Sequence, residues 1–153
     1  MAYMNGNQLM SRLGAEISKV IKGKQEAVQL ILTALLAQGH VLIEDVPGVG
    51  KTTLAMALGR ATGLAFRRAQ FTPDVMASDI TGFTMFDREE NRFEYRAGLV
   101  MTNILLADEI NRTSPKTQSA LLEAMEEKRV TVDGVVHSLP SPFMVIATQN
   151  SQG

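Results

Sequence analysis

A short glycine-rich loop, DVPGVGKTT, carries the residue types that bind phosphate groups. Gly48 and Gly50 leave room for backbone N–H groups to approach phosphate oxygens, and the start of the following helix adds positive potential. Lys51 can reach the β- and γ-phosphates of a nucleotide, and the Thr52 hydroxyl suits Mg²⁺. The predicted nucleotide-contacting residues are Asp45, Val46, Pro47, Gly48, Val49, Gly50, Lys51, Thr52 and Thr53.

This loop departs from the common phosphate-binding pattern G-x-x-x-x-G-K-[ST] at its first position. Asp45 stands where the pattern has glycine. That position lies at the entrance of the loop, and the phosphate contacts belong to the later residues, which are intact. Aspartate also tolerates turn conformations that most residues resist. The substitution therefore leaves the prediction of a phosphate site in place.

Two acidic residues end the largely apolar segment ILLADE. A buried parallel strand ending in Asp108 and Glu109 brings two carboxylates to the carboxyl edge of the sheet, where the glycine-rich loop also lies. Asp108 is predicted to hold Mg²⁺, directly or through water. Glu109 is predicted to orient and deprotonate an attacking water, because phosphoryl transfer depends on positioning and charge neutralisation. A solvated acidic pair at a strand end is the simpler alternative.

Asn150 is the last residue of another largely apolar segment, FMVIATQN. Its amide could hydrogen-bond both the γ-phosphate and the water, and so take part in catalysis together with Glu109 and Lys51. Asparagine is also a common turn residue after strands, so this assignment depends on its neighbours in the sheet.

The elements that position these residues alternate between helices and strands. Gly23 interrupts an apolar stripe of helical spacing, and a second helix runs from Lys24 to a glycine cap at Gly39. Ser114 and Pro115 begin a later helix that runs to about Arg129. Strands are predicted over residues 40–44, 64–71, 103–109 and 143–150, with a helix from residue 51 to near 63 and hairpins over 84–96 and 130–136. This order predicts an αβα sandwich with a mainly parallel sheet and two β-hairpin insertions.

Composition narrows the class of protein. The chain has 153 residues, of which 45% are hydrophobic and 20% charged, as expected of one globular domain. A net charge of −1 offers no general attraction for nucleic acid or anionic lipid, and no segment is long and apolar enough to insert into a membrane. The absence of cysteine suits a reducing compartment, so a cytoplasmic location is predicted.

Three stretches carry a family resemblance. EDVPGVGKTT, LLADEINRTSPKTQSALLEAMEEKRVTVDG and PFMVIATQN resemble the MoxR family of AAA+ ATPases, and the long middle stretch is the most specific. The resemblance covers roughly residues 17–153. It implies the AAA+ fold, ATP with Mg²⁺, a homo-oligomeric ring that is typically hexameric, and chaperone-like remodelling or activation of client proteins. A von Willebrand factor A domain protein is a frequent partner in this family.

The resemblance also implies roles for individual residues. Lys51 and Thr52 match the Walker A lysine and threonine, Asp108 and Glu109 the Walker B acids, and Asn150 the sensor 1 residue. The implied metal ligands are Thr52 and Asp108. Val20, Ile21 and Gly23 occupy the region that lies against adenine in AAA+ proteins, which adds Ile21 and Gly23 to the predicted nucleotide contacts.

The same resemblance suggests roles for the two predicted hairpins, for Gln70 and for two arginines. The hairpin over residues 84–96 resembles the pore-facing insertion in helix 2 of this clade, and that over 130–136 resembles the hairpin before sensor 1. Gln70 either corresponds to the polar switch that restrains the Walker B glutamate or is an ordinary exposed glutamine. Arg112 and Arg129 either face a neighbouring subunit or lie on the surface, and neither is assigned as an arginine finger.

Family members continue beyond sensor 1, whereas this sequence stops at Gly153. The resemblance therefore implies an AAA+ α/β subdomain over residues 1–153 without its last strand, arginine finger and helical lid. Weak nucleotide binding and slow hydrolysis are expected of this chain alone, because an arginine finger contributes about 10³- to 10⁵-fold in rate. The alternatives are a nucleotide-binding interaction module without turnover, a DNA-associated AAA+ motor, which the charge disfavours, and a small-molecule kinase, which the Asp-Glu pair disfavours.

Overall fold

The computed structural model describes residues 24–44 and 51–149. The helices are α1 Lys24–Leu36, α2 Lys51–Thr62, α3 Ala77–Thr81 and α4 Pro115–Glu127, with a 3₁₀ turn at Ile110–Arg112. The strands are β1 Val41–Glu44, β2 Phe66–Gln70, β3 Gly82–Asp87, β4 Arg92–Ala97, β5 Ile104–Asp108, β6 Arg129–Val132, β7 Val135–Ser138 and β8 Met144–Gln149. No helix within these ranges is long and apolar enough to cross a membrane.

The central sheet has the strand order β1-β8-β5-β2, and every neighbouring pair is parallel. In the register, Leu42 pairs with Ala147 and Ala69 pairs with Ala107. All four carboxyl ends therefore lie at one edge of the sheet. The prediction of a parallel αβα sheet is confirmed.

Two hydrophobic clusters cover the two faces of this sheet. On one face Ile31 and Ala34 of α1 pack with Ile43, Leu106 and Ile146. The other face packs against α4, whose buried side chains include Leu121, Leu122 and Met125. Strands β5 and β8 are buried on both faces, which is why their sequences are apolar at consecutive positions.

Helix α4 begins as the sequence predicts but ends earlier. The Ser114 side chain accepts a hydrogen bond from the Thr117 N–H at 3.2 Å, and Pro115 occupies the first helical position. The predicted end near Arg129 was wrong by two residues. Lys128 adopts a left-handed conformation with φ 58°, which stops the helix and lets Arg129 begin β6.

The end of α1 also differs in detail from the prediction. Gln38, and not Gly39, takes the left-handed conformation, with φ 59°. The Gly39 N–H then donates to the Ala34 carbonyl at 2.8 Å, and the Gln38 N–H donates to Leu35 at 3.2 Å. This pair of bonds is a Schellman motif, in which the glycine follows the left-handed residue.

Both predicted hairpins are present as separate two-stranded antiparallel sheets. In β6–β7, Asp133 and Gly134 have φ 49° and 78°, as a type I′ turn requires. Hairpin β3–β4 is longer than residues 84–96 and leaves Phe93 73% exposed. The Tyr95 ring stacks on His137, with ring centroids 3.7 Å apart, so the two hairpins contact each other.

Gly82 joins α3 to β3 at a point where the backbones are too close for a side chain. Its φ is 89°, and a Cβ would overlap the Arg96 carbonyl oxygen and come within 2.6 Å of the Tyr95 hydroxyl. We expect Gly82→Ala to lower the free energy of unfolding by about 1 to 3 kcal/mol more than backbone strain alone. Urea denaturation followed by circular dichroism measures this difference.

Gly134→Ala is the matched control for that prediction. Gly134 also has a positive φ, 78°, but a Cβ there would meet nothing within 4 Å. A side chain in the left-handed turn conformation of Gly134 costs about 1 to 2 kcal/mol. Gly82, with φ 89° and ψ 178°, lies in a region that is essentially restricted to glycine, so Gly82→Ala adds a larger backbone strain as well as the overlap. Equal losses of stability in the two variants would contradict the close packing at Gly82.

Candidate nucleotide site

The candidate site lies at the carboxyl edge of the parallel sheet. Helix α2 starts at Lys51 after the carboxyl end of β1, so Lys51, Thr52 and Thr53 form its first turn. The positive end of its helix dipole therefore lies at this edge. The other predicted contacts lie outside the described residues: Ile21, Gly23, Asp45, Val46, Pro47, Gly48, Val49, Gly50 and Asn150.

Asp108 ends β5 and has hydrogen-bond donors on both carboxylate oxygens. Thr148 of the neighbouring strand β8 donates its hydroxyl to Oδ1 at 3.1 Å. Arg68 of β2, on the other side, donates its Nε–H to Oδ2 at 2.7 Å. The Asp108 side chain is only 13% exposed, so this carboxylate is held in a defined position between two strands.

Glu109 has an unusual backbone conformation and a crowded carboxylate. Its φ of 55° and ψ of 50° are left-handed, which is uncommon for a residue other than glycine. Its N–H donates to the Thr148 hydroxyl at 3.0 Å, so Thr148 contacts both acidic residues. The side-chain Oε2 accepts from Gln70 Nε2 at 2.7 Å and from Arg112 Nη1 at 3.0 Å.

The structure therefore brings Asp108, Glu109 and Gln70 together. Gln70 is exposed, and its amide donates to the Glu109 carboxylate, which is the contact that the polar-switch interpretation expects. Arg112 also lies against this carboxylate. Arg129 begins β6 and pairs instead with Glu127 at 3.4 Å.

Sequence reasoning missed two residues of this cluster, Arg68 and Thr148. A signal for Arg68 was available, because it precedes Gln70 by two residues on β2 and so shares its face. Thr148 gave no comparable signal. Its position beside both acids follows from the pairing of β8 with β5, where Ala147 lies opposite Ala107.

The donor set suits a hard divalent cation. Magnesium is usually held by one or two carboxylates together with waters and substrate phosphates. Asp108 supplies such a carboxylate, and residues 24–44 and 51–149 contain no group of three or more His, Cys, Asp or Glu side chains that could hold a metal by themselves. The residues present therefore fit Mg²⁺ bound jointly with a nucleotide, and not an all-protein metal cage.

The chain has three features of P-loop nucleotide-binding proteins: a parallel αβα sheet, a helix N-terminus after its first strand and an acidic pair at the end of β5. The family model described as the ATPase family associated with various cellular activities (AAA) matches residues 40–152. The chain belongs to the MoxR family of AAA+ ATPases.

Individual relatives agree with this assignment. The chain is 56% identical to the uncharacterized protein YeaC of Bacillus subtilis over 98% of its own length and 47% of that protein. It is 46% identical to chaperone MoxR1 of Mycobacterium tuberculosis over 88% of its length and 36% of that protein. A crystal structure of a candidate ATPase from Cytophaga hutchinsonii superposes with a TM-score of 0.77 at 37% identity, covering 96% of this chain and 43% of that one. The chain thus spans less than half the length of each.

Proposed function

We propose that this chain binds and hydrolyses ATP, and that hydrolysis powers chaperone-like remodelling or activation of a client protein. The observation that carries the proposal is the acidic pair at the carboxyl edge, with Glu109 hydrogen-bonded to Gln70 at 2.7 Å. Asp108, the less exposed of the two acids, suits metal binding, and the more exposed Glu109 suits activation of water. The similarity to chaperone MoxR1 supports the remodelling role.

Each predicted residue has a role in this proposal. The loop from Asp45 to Gly50 surrounds the phosphates, Lys51 binds the β- and γ-phosphates, and Thr53 contacts the nucleotide from the first turn of α2. Asp108 and Thr52 hold Mg²⁺, which when bound neutralises negative charge on the phosphates.

The remaining roles concern the attacking water and the base. Glu109 takes the proton from the water, and Asn150 orients that water against the γ-phosphate. Ile21 and Gly23 contact the adenine.

Gln70 supplies the proposed control of this reaction. While Gln70 and Arg112 both donate to Glu109 Oε2, the carboxylate is held in one orientation. Release of Oε2 by Gln70 and Arg112 would let the carboxylate turn and present an oxygen to the attacking water. We propose that nucleotide binding favours this release.

The wider context is also part of the proposal. Residues 1–153 form an AAA+ α/β subdomain, and the whole protein assembles into a ring, typically a hexamer. A von Willebrand factor A domain protein is its partner. We propose a cytoplasmic protein that binds no nucleic acid and does not insert into a membrane, since the net charge is −1, cysteine is absent and no segment is long and apolar enough to insert.

Lys51→Ala tests the proposal most directly. We expect this change to weaken binding of a fluorescent ATP analogue at least about tenfold, because the lysine charge on the phosphates is lost. Fluorescence anisotropy measures the affinity.

Lys116→Ala is the control. Lys116 is likewise in the first turn of a helix, α4, and it is exposed, so it matches Lys51 in charge and in its position on a helix but lies outside the glycine-rich loop and the first turn of α2. Its replacement should leave the affinity unchanged. Unaltered affinity in Lys51→Ala would refute nucleotide binding at this edge.

A further inference from the structure

Arg68 forms an ion pair with the acid that the proposed function assigns to Mg²⁺. Its Nε–H donates to Asp108 Oδ2 at 2.7 Å. The other oxygen, Oδ1, accepts the Thr148 hydroxyl. Each oxygen of the Asp108 carboxylate therefore accepts a hydrogen bond from another residue of the chain.

The location of Arg68 makes this contact specific. β2 and β5 are adjacent parallel strands in which Gln70 lies opposite Asp108. Arg68 is two residues earlier on the same face of β2, so its long side chain reaches forward along the strand. Arg67 has the opposite orientation, and its guanidinium donates to the Gly98 carbonyl at 3.2 Å. Only one of two successive arginines thus reaches the acid.

The two side chains of this ion pair differ in exposure, so that Arg68 can leave more easily than Asp108. The Arg68 side chain is 51% exposed, whereas the Asp108 side chain is 13% exposed. An arginine that is half in water can leave with little loss, because exposed ion pairs contribute little net stability. The carboxylate it leaves stays in place, held by Thr148.

A guanidinium and a divalent cation compete for the same carboxylate oxygen. Both are positively charged, and their mutual repulsion at this distance opposes simultaneous binding. We propose that Arg68 is a positioning residue that occupies Asp108 before the metal does, so that Mg²⁺ binds only by displacing it. This inference rests on the proposed function of Asp108.

The consequence concerns both acids. β2 carries Arg68 against Asp108 and Gln70 against Glu109, on one face and two residues apart. The edge strand thereby restrains the metal-binding acid and the proposed base together. Displacement of Arg68 by a cation would remove one of the two restraints that β2 places on the site.

The test measures metal affinity and not turnover. Mn²⁺, as a probe for Mg²⁺, is titrated into the full chain with a saturating non-hydrolysable ATP analogue, and free Mn²⁺ is followed by electron paramagnetic resonance. We expect Arg68→Ala to bind Mn²⁺ about three- to tenfold more tightly than the wild type, because the competitor is gone. Arg68→Gln, which keeps a polar side chain without the charge, should change in the same direction.

Arg67→Ala is the matched control and should leave Mn²⁺ affinity unchanged. A second readout is thermal unfolding, in which added Mg²⁺ should raise the Tm of Arg68→Ala more than that of the wild type. Unchanged or weaker Mn²⁺ binding in both Arg68 variants would overturn the inference. If the Arg68 variants bound the nucleotide more weakly than the wild type in EDTA, where no divalent cation is present, the inference would also be overturned, since Arg68 would then contact the phosphates.

The outcome separates this inference from the proposed function. If the wild type binds nucleotide in a Lys51-dependent manner but metal affinity is the same in all variants, only the role of Arg68 fails. If the wild type binds neither nucleotide nor Mn²⁺, the proposed function fails first.

Discussion

Replacing Glu109 with glutamine is expected to lower ATP turnover by about 10²- to 10⁴-fold, the usual contribution of a general base. The amide has the same shape but cannot accept the proton of the attacking water. Its oxygen can still accept the hydrogen bond from Gln70, so the left-handed backbone and the position of the side chain are retained. Single-turnover hydrolysis of radiolabelled ATP with enzyme in excess measures the ratio even where the absolute rate is low.

Nucleotide affinity should change by less than about twofold in the same variant, because the lost interaction belongs to the transition state. The control is Glu123→Gln, an exposed glutamate of α4, for which neither rate nor affinity should change. Equal turnover in Glu109→Gln and the wild type would favour the alternative of a nucleotide-binding module without hydrolysis. Loss of binding together with turnover would show that Glu109 supports the site structurally.

Gln70 and Arg112 hold the Glu109 carboxylate in one orientation, and we propose that this limits its action as a base in the absence of nucleotide. Its Oε2 accepts from Gln70 and Arg112 at once. Both donors are on exposed positions, so either can move without opening the core. In the proposed function, hydrolysis would then depend on whether the hydrogen bonds of Gln70 and Arg112 to Glu109 are broken.

The elements that build the sheet could be predicted because their sequences carry strong local signals. Strands β5 and β8 are apolar at consecutive positions, which requires burial on both faces. Asp133 and Gly134 determine a type I′ turn through their positive φ values. Lys51 and the acidic pair were placed at one edge by the rule that parallel strands share their carboxyl ends.

Long-range contacts and short elements could not be predicted in the same way. Helix α3, with five residues, is too short for an apolar period to be recognised. The contact of Arg68 with Asp108 joins residues 40 positions apart and depends on the register of β2 against β5. Gln38 adopts the left-handed conformation that glycine would favour, because the bonds of the helix end determine which residue turns.

A buried histidine at the opposite edge of the sheet makes stability depend on pH. His40 precedes β1, its Nδ1 accepts the Val145 N–H at 3.0 Å, and Lys128 Nζ lies 3.2 Å from its Nε2. Burial, and then the Lys128 charge, lower the pKa of His40 from 6.5 to about 4, against a smaller opposing effect of a hydrogen bond with the Met125 backbone. The neutral imidazole is thus the form that the folded protein accepts.

The sign of the effect follows from this lowered pKa. Above pH 6.5 the imidazole is neutral in both states, and its contribution to stability is fully present. Between pH 6.5 and about 4 the unfolded chain binds a proton that the folded chain does not, so the free energy of unfolding decreases as the pH is lowered. We expect a loss of about 3 kcal/mol in the free energy of unfolding across this window from His40 alone. Urea denaturation at pH 7.5 and pH 4.5 measures the total loss.

His40→Asn isolates the contribution of the imidazole from that of the carboxylates, which also titrate in acid. The asparagine oxygen can still accept the Val145 N–H, but the side chain binds no proton, so the variant should lose less stability between the two pH values than the wild type. His137→Asn is the comparison variant, because it removes the chain's other imidazole, which stacks on Tyr95 between the hairpins. If His40→Asn were as acid-sensitive as the wild type, the buried imidazole beside Lys128 would not be the group that limits stability at low pH.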